Sequence, residues 1–292
     1  MGRYLRFLET ATGLLLTGIV AAPFCATDAS AGEVCHFAGT TNYAGHVAVT
    51  ATVAATDGVT KVDVTVALDV TTMFWFHMHY LVEEVSTWRA GELESVAVNY
   101  RYLLNGHIMR QRWDDFQRGP DGLRALRVQA NSLADFRRNH AGFVQHWDPA
   151  TFGDPWLQDY QAASPERRPD LDISGSPLSP ALRSPLAMAF YWVRWLPPGG
   201  QDVLVFLPGL KTEHFVDLPI SVASWSDGTQ WQAPVRHPEL SETPASTATA
   251  WASPDGHLLQ LAFDLHGPHG TATGVIRQEG CEGDPVVPSG GR

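Results

Sequence analysis

Residues 46–70 read HVAVTATVAATDGVTKVDVTVALDV, and the fold turns on that stretch. Apolar and polar residues alternate on both sides of Asp57-Gly58. A strand sends residues i and i+2 to the same face, so each arm has one apolar and one polar side. Asp-Gly supplies the positive-φ positions of the tight turn whose twist matches two paired strands, and the segment is therefore a β-hairpin. Val59, Val62, Val64, Val66 and Leu68 mark the second arm, with a one-residue shift near Lys61.

Outward from this hairpin the same signals recur. Residues 73–82 are nearly all apolar and aromatic, as in a strand buried on both faces or one crossing a barrel. Residues 97–104 and 108–116 flank Asn105-Gly106, a second hairpin signal, and a turn at 119–122 leads to a strand over 123–128. Further strands are predicted at 202–206, 215–224, 229–235 after Asp227-Gly228, 249–252, 258–265 and 271–276. Residues 130–184 break the alternation and read as an irregular insertion, with one helix near 132–139. Ser184-Pro185 then opens LAMAFYWVRW, a short apolar helix with an N-cap residue type and a first-turn proline, and Pro197-Pro198-Gly199-Gly200 stops it. Many short antiparallel strands with one or two short helices define an all-β chain, an antiparallel barrel or half-open barrel with the helix plugging one end.

The first 31 residues read as a signal peptide: Arg3 and Arg6 precede an apolar run over 12–22, and Ala29-Ser30-Ala31 fits a cleavage site, so removal follows Ala31. A lipid anchor on Cys25 is the alternative, against which Phe24 is a poor small-residue neighbour. No later stretch is long and apolar enough to span a bilayer as a helix, so the mature chain is expected to lack a transmembrane segment and to be periplasmic or secreted. Residues 32–282 form one β-rich domain and 283–292, rich in Gly and Pro, a flexible tail. Cleavage leaves Cys35 and Cys281, an even pair in an oxidising compartment, where a disulfide is the default. The net charge of -11 argues against nucleic acid and anionic membrane surfaces as partners.

Two segments, STWRAGELESVAVNYRYLLNG (86–106) and SPLAMAFYWVRWLPPGGQDV (184–203) followed by LKTEHFVDLPISVASWSDGT (210–229), carry a resemblance. In the order of these parts the chain resembles an uncharacterised proteobacterial periplasmic β-barrel family, known as a domain of unknown function. The resemblance implies a secreted antiparallel β-barrel without an established activity and supplies no catalytic residues. The 130–184 insertion departs from the family pattern and leaves room for a function of its own.

Three constellations are candidates for chemistry. His77 and His79 share a strand face, a spacing that lets two imidazoles hold one divalent metal ion, with His46, His107, His214 or Glu83 as sources of a third ligand; satisfied core histidines are the plainer reading. No cofactor is otherwise expected. In residues 100–113, YRYLLNGHIMRQRW, Arg101 lies on one face with Asn99 while Tyr100 and Tyr102 share the other. Trp75, His107, Gln111 and Trp113, with Trp147 and Trp156 of the insertion, are candidate contacts for an amphiphilic or glycan ligand; an envelope protein is the other expected partner. The carboxylate pairs Glu83-Glu84 and Asp114-Asp115 read as surface charge, since strand neighbours face opposite ways. Nucleophile elbows, H-E-x-x-H and Gly-rich phosphate loops are absent. Two functions follow: non-catalytic binding at the barrel mouth, or a secreted carbohydrate-active enzyme of polysaccharide-lyase type. The lyase reading requires Tyr100 or Tyr102, His77 or His79, Arg101 and Arg112 to converge on one groove.

Overall fold

The alternation of residues 46–70 becomes the hairpin of β2 (Gly45–Thr56) and β3 (Val59–Thr72), in which Val47 faces Leu68, Val49 faces Val66 and Val53 faces Val62. These pairs are buried and build one wall of the core. The computed structural model describes residues 31–42, 45–72, 76–119, 122–130, 182–208, 213–225, 228–235, 246–267 and 270–288. Residues 1–30 of the expected signal peptide (1–31) and the helix expected near 132–139 lie outside them, as does nearly all of the insertion.

Around this hairpin stand β1 (Ala31–Thr41), β4 (Phe76–Arg89), β5 (Glu92–Leu104), β6 (His107–Gly119), β7 (Gly122–Ala130), the two-residue β8 (Leu182–Arg183), β9 (Gln201–Pro208), β10 (Glu213–Trp225), β11 (Gly228–Val235), β12 (Ser246–Ala252), β13 (Leu258–Gly267) and β14 (Gly270–Glu282). They form one sheet in the order β7-β6-β5-β4-β3-β2-β1-β14-β13-β12-β11-β10-β9-β8. Every neighbouring pair is antiparallel except β8 with β9. The sheet curls into a nearly closed barrel, and β8 at one end comes up to β5 near the other. Bulges at His36/Phe37, Thr87/Trp88, Tyr102/Leu103 and Trp251/Ala252 sharpen the curl.

The hairpin turn at Asp57-Gly58 is repeated at Asn105-Gly106, as predicted, and at Ala90-Gly91, where Ala90 takes a φ of 50°. Alanine carries no turn signature, and it is Gly91, at a φ of 80°, that marks this turn in the 86–106 segment. Cys35 and Cys281 face each other in the β1–β14 ladder, with Cα atoms 4.1 Å apart, and form a disulfide. Within the described part of the expected tail, residues 283–288, Val286 is 4% exposed and joins the core while Val287 is 63% exposed.

Helix α1 (Pro185–Phe190) and a 3-10 turn (Trp192–Trp195) enter one end of the barrel and pack on β3, β4 and β9. Phe37 meets Phe190 at 5.5 Å and Trp88 meets Trp192 edge-on at 4.9 Å. Each such buried side chain contributes roughly 2–3 kcal/mol of transfer free energy. Ser184 holds the N-cap position in extended conformation, yet its side chain makes no capping bond. Glu84 of β4 does that instead, accepting the N–H of Leu186 at 3.1 Å and of Ala187 at 2.9 Å. At the far end of the plug, Arg194 donates two parallel hydrogen bonds to Glu33 of β1, at 2.7 and 2.8 Å. Two buried carboxylates from the barrel wall thus fix the plug at both ends. Glu84 is 1% exposed and Asp114 0%, which corrects the expectation that both are surface charges.

Candidate functional site

The plug fills the barrel end where the Asp57-Gly58 and Ala90-Gly91 turns lie, so the site is sought toward the opposite end, beside Asn105-Gly106. Cross-strand pairing assigns the faces. Val66, Val82, Tyr100 and Arg112 lie in one row across β3 to β6, and Leu68, Tyr80 and Tyr102 in the next. Because Val66 and Leu68 are core residues, all of these face inward. Tyr80 and Tyr102 stack with ring centroids 4.9 Å apart. The guanidinium of Arg112 lies over the Tyr100 ring, 4.4 Å from its centroid, and its Nη2 is 2.7 Å from Oδ2 of Asp114.

Electrostatics fixes what these groups can do. Burial beside Tyr102 pushes the Tyr80 hydroxyl far above its usual pKa, and burial raises that of Tyr102 too. Both remain protonated near neutrality and serve as hydrogen-bond donors rather than bases. Burial is the largest single influence on Arg112 and would lower its pKa, but the Asp114 carboxylate and Tyr100 together outweigh it and hold the guanidinium above its ordinary value. Arg112 is therefore an inward cation, mostly buried and steadied by Asp114 and Tyr100. On strands about half the sheet away, the buried or half-buried core residues Ala233, Ala248, Ala250 and Ala272 alternate with the larger Trp231, Leu261 and Phe263.

Arg101, His77 and His79 stand on the outer face. Arg101 donates to Oε1 of Glu83 at 2.8 Å and Asn99 to Oε2 at 3.0 Å, which commits Glu83 to an outer polar network. Asp63 belongs to it, and burial raises its carboxyl pKa. His79 Nδ1 lies 2.6 Å from Oδ1 of Asp69, and His77 Nδ1 3.3 Å from the Thr71 hydroxyl. His77 and His79 do share a face, but among the described residues no third ligand closes on them. The required convergence fails. Tyr100, Tyr102 and Arg112 point into the barrel, whereas Arg101, His77 and His79 are on the other side of a sheet, which corrects the lyase grouping.

Gln111 pairs with Arg101 and Trp113 with Asn99, at register positions of the outer face; His107 pairs with Leu104 beside the turn. Trp75, Trp147 and Trp156 lie outside the described residues. Tyr80 and Asp114 are the members of the inner cluster that sequence reasoning missed. Tyr80 sits in the aromatic run FWFHMHY, and its register with Tyr102 was the signal.

Comparison with known proteins adds a likeness of shape. No family model matches the chain, and no curated protein does. A solved structure described as a β-barrel-like protein of the domain of unknown function DUF1849, from Brucella abortus, aligns with a TM-score of 0.48 and 5% identity. The alignment covers 88% of this chain and 99% of that one.

Proposed function

We propose that this is an exported, non-catalytic binding protein of the periplasm whose barrel receives the head of an amphiphilic ligand at the end opposite the plug. The observation that carries the reading is the inward cluster of Tyr80, Tyr100, Tyr102 and Arg112 above an apolar wall. Phenol hydroxyls and a fixed guanidinium suit a hydroxyl- or phosphate-bearing head, and Leu68, Val70 and Met78 beside them suit an apolar body. The high pKa values of the tyrosines support binding over elimination, which would need one of them as a base. Export is supported by the signal-like segment before residue 32 and by the disulfide, a bond that persists in oxidising compartments.

The test is solvent extraction of the purified protein, mass analysis of what co-purifies, and thermal shift against single-chain phospholipids, fatty acids and oligosaccharides. Binding is expected for an amphiphile, weakened by Tyr102→Ala and less by Tyr102→Phe, which keeps the stacked ring. No co-purifying or stabilising ligand, together with turnover of a polysaccharide, would sink the proposal.

A further inference from the structure

Among the described residues, one group of metal-capable donors is drawn together from distant parts of the chain. Glu33, Cys35, Cys281 and His257 each offer an atom within 4.8 Å of the others. The fold dictates this. Glu33 and Cys35 are i and i+2 on β1 and share the inward face; Cys281 is the ladder partner of Cys35; His257 lies in the turn between β12 and β13. Oε1 of Glu33 is 3.2 Å from the Cys35 sulfur and 3.2 Å from Nδ1 of His257. The turn is itself fixed: the His257 N–H donates to the Ser253 hydroxyl at 3.1 Å, and Gly256, at a φ of 92°, packs on the Trp195 ring where a Cβ would come within 2.9 Å.

We propose that reduction of the Cys35–Cys281 bond converts this cluster into a tetrahedral site for a divalent ion of the zinc or cobalt type, held by two thiolates, His257 Nδ1 and Glu33 Oε1. Two sulfurs, an imidazole and a carboxylate are a donor set such ions favour. A disulfide sulfur is a poor ligand, so the site exists only in the reduced chain. A dithiol reductant hands two electrons and two protons to the sulfur pair and is itself oxidised to a disulfide. The metal ion then displaces those two protons as both cysteines become thiolates. Arg194 keeps its bond to Oε2 of Glu33 and orients the carboxylate from outside the coordination shell, while Oε1, which also accepts from Arg194 at 2.7 Å, turns a second lone pair to the ion. Two thiolates and one carboxylate balance the divalent ion and the Arg194 guanidinium, so the buried cluster is neutral, as the Glu33–Arg194 pair is in the oxidised chain. The ion would replace the covalent clasp between β1 and β14, leaving the barrel joined there in either redox state.

The test uses the full mature chain reduced with a phosphine under nitrogen, thiols counted, and cobalt(II) added. Thiolate-to-cobalt charge-transfer absorption with tetrahedral d–d bands should saturate at one ion per chain. The oxidised chain and the Cys35→Ser/Cys281→Ser variant should show neither. His257→Ala should weaken cobalt binding by roughly tenfold or more, the least that loss of even an outer partner costs at such sites. Two free thiols with no cobalt spectrum would overturn the proposal. So would a His257→Ala chain with unchanged affinity, or circular dichroism showing that the reduced chain loses its strands before cobalt is added.

Discussion

Replacing Glu84 by alanine removes the acceptor for two backbone donors at the start of α1, the N–H groups of Leu186 and Ala187, both in the core. A buried donor left without a partner costs about 1–3 kcal/mol, so two cost about 2–6 kcal/mol. Relief of the carboxylate's own desolvation offsets part of this, since burial raises the Glu84 pKa while the bonds it accepts from the helix start lower it. The net expectation is a loss of about 3 kcal/mol. Glu84→Gln keeps one acceptor oxygen and removes the charge, and should lose about 1 kcal/mol. The two forms also part company with pH. The folded-state pKa is raised, so the folded chain binds the Glu84 proton more tightly than the unfolded chain. Wild-type stability from this group is then greatest below the unfolded value of about 4.3 and falls as pH rises toward the folded pKa. Glu84→Gln lacks that slope, so its deficit should shrink as pH rises from 4 toward neutrality. Urea unfolding followed by tryptophan fluorescence measures both effects, because Trp88 and Trp192 are in contact beside the plug. An alanine variant within ~0.5 kcal/mol of wild type, the range of a surface substitution, would refute the capping role.

Arg194→Met should lose about 3–5 kcal/mol by stranding the Glu33 carboxylate in the core, and Glu33→Gln in the same chain should restore much of it; a double-mutant cycle by urea unfolding decides. Ala90→Gly should raise the melting temperature by about 2 °C, because glycine takes a φ of 50° without the roughly 1 kcal/mol that alanine spends there. Reduction of Cys35–Cys281 without metal should lower unfolding free energy by up to about 5 kcal/mol in the chain-entropy account, for a separation of 246 residues, read as a fall in urea midpoint on adding phosphine. Gly274→Ala should destabilise the barrel by about 1–3 kcal/mol in the same assay, since its Cβ would strike the Phe263 ring.

Hairpins 46–70 and 97–116 were readable because Asp-Gly and Asn-Gly write their turns locally and the valine alternation writes the strand period. The strand β1 was not, since it carries no local signature. In the candidate site, the sequence separates Arg101 from Tyr100 and Tyr102 by face, and the sheet keeps that separation. Joining the histidines to the tyrosines failed for the same reason: alternation fixes which residues within a strand share a face, while the register across β4 and β5 fixes which faces match.

By itself, then, the chain determined its period, its tight turns, the apolar plug and two cysteines available to each other. These follow from interactions among residues a few positions apart. Tertiary structure alone decided that Glu84 reaches a helix start 102 residues away, that Glu33 meets Arg194 across 161 residues, and that Asp114 is an inner counter-ion while its neighbour position belongs to the other face. A carboxylate reads the same in sequence whether water or a helix end receives it. Its burial is set by which distant donors the closed barrel brings to it, and that is a property of the wrapped sheet.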